Sequence, residues 1–185
     1  MNRFNARPCL GVASRCVFLL TLLVAEVAAA ATSSSPQAGG ILTDIKVRGA
    51  QAAVATRWAD TDAWNAAMAN IGRGKPGWLE VAVALQPGTD GGAAETLDEA
   101  IFLALKPSSV AVLKLLQEHQ FRTELVCSSN IGTDYTPEKS RHFIRDRIKN
   151  LEGLPDSNLQ AIRDKCLTGL RAGLKDFPVK KEPTT

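Results

Sequence analysis

Residues 64–116 constrain the fold more than any other stretch of this chain. They hold two of its three tryptophans and its densest apolar spacing, cut into helix-sized pieces by glycine and proline. Trp64, Met68 and Ile71 fall at i, i+4 and i+7, one face of a helix, and the Asp60-Thr61-Asp62 run supplies cap chemistry at its start. Gly72 and Gly74 end that helix and Pro76 bars its continuation. Residues 78–85 (W-L-E-V-A-V-A-L) begin again, apolar nearly all round, which predicts the central, most buried helix. Their alternation also allows a strand, but the alanines and the helical neighbours favour a helix. Pro87-Gly88 breaks it, and Thr89 or Asp90 caps a third helix with Ala94, Leu97, Ile101 and Ala104 inward. Glu95, Asp98 and Glu99 sit early there, where the macrodipole favours acids. Lys106-Pro107 stops that helix, and Ser108 or Ser109 caps the next, with Val112, Leu113 and Leu116 inward.

The flanks are read the same way. Residues 50–58 suit a short helix, and residues 41–47 are either an extended arm or the lead-in to one. Residues 121–133 are irregular, with turn signals at Asn130 and Gly132. Thr136-Pro137-Glu138 is a strong helix start, followed by Ile144, Ile148 and Leu151 on one face up to Gly153. The last helix, capped by Asp156 or Ser157, carries Leu159, Ile162, Cys166, Leu170 and Leu174 on one stripe. These segments predict an all-α domain of about six short helices over residues 41–178, a bundle or stacked helical hairpins with antiparallel neighbours across short loops. The segments opened by Trp64 and Trp78 echo each other, too briefly to establish a repeat.

Residues 1–31 read as a secretory signal peptide: Arg3, Arg7 and Arg15 precede an apolar run at 17–25, and alanines at 28–31 offer a cleavage site. The run is short of the roughly 20 residues a spanning helix needs, and no second one follows. Residues 32–40 read as a flexible linker and 179–185 as a disordered tail. Beyond residue 31 the chain holds 19 basic and 18 acidic side chains, a net charge of +1. That balance argues against nucleic acid or an anionic membrane surface as partner. Two cysteines remain beyond the leader, Cys127 and Cys166, and an even pair in an exported protein predicts one disulfide.

The search for chemistry returns little. His119 and His142 stand alone, and with two bridged cysteines they make no zinc site; no cofactor is called for. Gly72-Arg73-Gly74-Lys75-Pro76-Gly77 has the glycines of a phosphate cradle, but proline follows the lysine and a helix precedes the loop, so an interhelical joint explains it better. Glu80, on the otherwise apolar helix, and Glu95 are the carboxylates to weigh as a raised-pKa general acid; a place on the solvent edge of a helix is the simpler account. Arg141, Arg145, Arg147 and Lys149 are a candidate basic face for an acidic partner, although solvated helix faces are often charged in this way.

The run from Trp78 to Leu105 (W-L-E-V-A-V-A-L-Q-P-G-T-D-G-G-A-A-E-T-L-D-E-A-I-F-L-A-L) resembles a segment of uncharacterised exported proteobacterial proteins. In these a tryptophan helix leads into an L-x-P-G-[ST]-D turn and a helix opening with acids. The V-C-S-S-N-I and K-C-L segments resemble that group's cysteine positions, while Ser128-Ser129-Asn130 departs from its more apolar continuation. Across residues 64–174 the resemblance implies a helical exported domain with one disulfide, and no activity. The reading is therefore a non-enzymatic periplasmic protein with a protein partner, by analogy with small exported proteins that neutralise cell-wall-acting enzymes. The alternatives are a cell-wall glycan hydrolase using a helix-borne glutamate, and a structural or envelope-stress protein.

Overall fold

The computed structural model describes residues 36–119, 121–128, 135–155 and 158–177. Among these, every regular element is helical, and they belong to one compact unit. The expected leader (1–31), the start of the linker and the tail (179–185) lie outside the described residues.

The order is α1 (Pro36–Arg48), α2 (Ala50–Ala59), α3 (Thr61–Gly72), α4 (Trp78–Leu85), a 3-10 turn (Gln86–Gly88), α5 (Gly91–Ala104), α6 (Ser109–Glu118), α7 (Thr123–Val126), α8 (Pro137–Glu152) and α9 (Gln160–Leu174). That is nine α-helices among the described residues, more than the six or so expected, and α1 and α7 are two that the sequence did not mark as helices. The α1 helix begins inside the stretch read as linker, so that boundary is corrected. Ala38 is buried, and Ile41, Leu42 and Ile45 pack against the core at helical spacing. This burial outweighs the roughly 1 kcal/mol that each of Gly39 and Gly40 costs a helix relative to alanine.

The hub is α4, which touches α1, α2, α3, α5 and α6. Trp78, Val81, Ala82 and Leu85 are all buried in it, and a fully buried leucine or valine is worth about 2 kcal/mol. Around the hub, α1 folds back on α2 at Gly49, where Asp44 pairs with Arg57 across the hairpin. The α8–α9 pair is joined by Glu152 on Arg171 and by the Leu154 carbonyl, which accepts from Arg163. The largest seam departs from the expected antiparallel arrangement. Trp64 Nε1 donates to Thr96 Oγ1 at 2.9 Å, and Gly72 approaches Leu103, so α3 and α5 run parallel. The whole of α4 intervenes in sequence and carries the chain back, which a short loop could not do.

Candidate functional site

The side chains with the most pronounced chemistry gather where α8 meets the end of α5. Thr136 Oγ1 accepts from the Lys139 N–H at 3.3 Å and Pro137 occupies the first turn, so α8 starts where the sequence signals it. Ser140, Ile144, Arg147 and Leu151 form its buried side. Arg147 is only 3% exposed. Its Nε donates to the Phe102 carbonyl at 2.8 Å, Nη2 to the Leu103 carbonyl at 3.1 Å and Nη1 to the Phe143 carbonyl at 2.9 Å. The guanidinium lies over the Phe102 ring, 4.2 Å from its centroid. Alongside it, Asn150 Nδ2 donates to the Lys106 carbonyl at 2.9 Å, and Lys106 Nζ pairs with Asp146 at 2.6 Å.

The last carbonyls of α5 are thus capped by a cation from α8, at the negative end of the α5 dipole, and the turn beyond them by an amide from the same helix. Burial pushes the Arg147 pKa down to about 10, still far enough above neutrality to keep the group charged. This corrects its assignment to a basic surface. Residue 147 lies about 200° around the helix from residue 145, on the same side as Ile144 and Leu151.

The other three members of that set do share a face. Arg141, Arg145 and Lys149 recur every fourth residue; Arg145 and Lys149 are exposed and Arg141 is half-buried. None forms a salt bridge among the described residues. Asp146, the acid nearest them in sequence, is committed to Lys106 and to His142, whose Nε2 lies 3.5 Å away.

Glu80 and Glu95 are both exposed, so neither occupies an apolar pocket. The carboxylate that does is Asp98, read from the sequence as one of the early acids of α5 that the macrodipole favours. It is buried, pairs with Arg122 Nη2 at 2.6 Å, and lines a cavity of about 230 Å³ with Leu97, Phe121 and Asp90. Burial pushes its pKa above the ordinary value, and the Arg122 guanidinium pulls in the opposite direction. The signal for its burial was its place beside Leu97 and Ile101 on the inward stripe.

The glycine-rich joint at 72–77 makes a poor phosphate cradle, because most of its amides are spent internally. Arg73 N donates to the Ala69 carbonyl, Gly74 N to Ile71, Lys75 N to Asn70 and Trp78 N to Lys75. Gly74, with φ +60°, is pressed against Ser108, and any side chain there would clash. Cys127 and Cys166 form a disulfide with Cα atoms 4.8 Å apart, tying α9 to the end of α7. No group of three or more metal-ligating side chains occurs among the described residues, and no helix among them is long and apolar enough to cross a membrane. No protein-family model, curated protein or solved structure matches the chain.

Proposed function

We propose that this is a non-enzymatic periplasmic interaction protein that engages an acidic protein partner through the outer face of α8. The observation that carries this reading is the row Arg141, Arg145 and Lys149, one helical turn apart and without acidic partners among the described residues. Like charges at i, i+4 destabilise a helix by roughly 0.2–0.5 kcal/mol per pair. An acidic surface turns that repulsion into attraction and speeds encounter. The helix presenting the row is held from beneath by Arg147 and Asn150, so the cations are displayed on a fixed support. The hydrolase reading gains nothing from Glu80 and Glu95, since exposed carboxylates lack the apolar pocket that keeps a general acid protonated.

The test is capture from periplasmic extract with the protein immobilised, comparing wild type with the triple variant R141E/R145E/K149E. The expected result is a stoichiometric protein retained by wild type at low salt, released at high salt and missing from the variant. Equal recovery by both proteins would remove α8 as the interface.

A further inference from the structure

Two open clefts meet at the turn between α5 and α6. One, of about 470 Å³, runs past Arg73, Leu103, Lys106, Pro107 and Arg147. The other, of about 460 Å³, continues past Lys106 and Pro107 to Val110, Lys114 and Leu154. Sharing Lys106 and Pro107, they adjoin at this turn as the two parts of a trough. No acidic side chain among the described residues lines either part, while four cations do. Between the cations lies apolar surface, including Val110, which is 46% exposed, far from the usual state of a valine on a core-forming helix. Arg73 and Lys114 are exposed and have no ion-pair partner among the described residues; Asp146 engages Lys106 from the α8 side.

We propose that this trough seats an extended acidic segment of the protein partner, with apolar side chains against Leu103, Pro107 and Val110 and carboxylates toward Arg73 and Lys114. The inference rests on the partner reading above and adds a second, separable contact to it. Charge complementarity selects the acids. Exposed cations beside apolar surface suit a peptide bearing both carboxylates and apolar side chains better than an unbroken acyl chain. The trough also adjoins the α8 row: Lys106 touches Asp146 and Asn150, whose chain neighbours are Arg145 and Lys149.

The experiment is fluorescence anisotropy on the purified protein with a labelled, end-blocked peptide of alternating glutamate and leucine. A peptide with lysine replacing glutamate serves as control. The acidic peptide should bind, the lysine peptide should not, and R73E/K114E and V110D should each weaken binding at least about tenfold. Circular dichroism of R73E/K114E should match wild type, since both residues are exposed and unpaired. The α8 triple variant should lose partner capture while weakening peptide binding less than R73E/K114E does. Failure of the acidic peptide to bind, or equal binding by R73E/K114E, overturns the trough and leaves the α8 reading standing on its own capture result. Binding of anionic phospholipid vesicles in place of the peptide also overturns it and assigns the trough to a membrane surface.

Discussion

Arg147 shows how one side chain can join two helices. Its three nitrogens donate to three carbonyls, two of them in the last turn of α5, and its charge faces the negative end of that helix. A hydrogen bond to a charged group contributes roughly 1.5–3 kcal/mol. Arg147→Met should therefore lower the unfolding free energy by about 3 kcal/mol or more in urea denaturation, while Arg147→Lys should recover only part of this, since an ammonium cannot reproduce the planar fork. A loss below 1 kcal/mol would mean that water replaces the guanidinium there. Asp98 makes a different prediction. Its folded pKa lies above the ordinary value of 3.8, so it binds its proton more tightly in the folded state. Its contribution to stability is fully present below pH 3.8 and is lost as pH rises through the folded value. Measured against Asp98→Asn, wild type should lose relative stability across that rise. Asp146, held low chiefly by Lys106, acts with the opposite sign, its contribution disappearing on acidification. A stability difference between wild type and Asp98→Asn that does not change with pH would contradict the assignment.

At the scale of elements, α9 is placed by close approach as much as by its apolar stripe. Gly169 lies against the Cys127 backbone, and a Cβ there would collide with the Cys127 carbonyl oxygen. Backbone cannot rotate out of the way as a side chain can. Gly169→Ala should therefore cost about 1–3 kcal/mol even though alanine is the better helix former, and a thermal melt reads this directly. An unchanged or raised melting temperature would show that α9 slides freely over this contact. The Thr136 cap is a smaller effect: Thr136→Ala should remove about 1 kcal/mol, detectable as a lower denaturation midpoint with an unchanged m-value.

For the molecule as a whole, the disulfide closes a loop between positions 39 residues apart. The chain-entropy model gives such a loop about 4 kcal/mol of stabilisation, a large fraction of what a domain this size has to lose. Reduction, or the double substitution C127A/C166A, should lower the melting temperature by roughly 10 °C while the far-ultraviolet helical signal persists below the transition. Both cysteines belong to the same buried core as α4, but α4 packs mainly against α1, α2, α3, α5 and α6, so the fold should survive without the bridge at low temperature. Global loss of helix on reduction at 10 °C would show instead that α7 and α9 are needed to close that core.

The sequence by itself determined the fold class, the limits of α4 and the start of α8, because these depend on local terms: apolar periodicity, proline and glycine stops, and a hydroxyl cap. It also placed Cys166 on an inward stripe. Arg147 and Asp98 were legible in principle, since the periodicity that turns Ile144 and Leu97 inward turns them inward too, but charge type argued for the surface. Only the tertiary structure decided that α1 folds across two glycines, that α3 and α5 run parallel, and that the cleft past Arg73 meets the cleft past Lys114 at Pro107. Each of these depends on surface buried between residues distant in sequence, and no local pattern reports what lies across the interface.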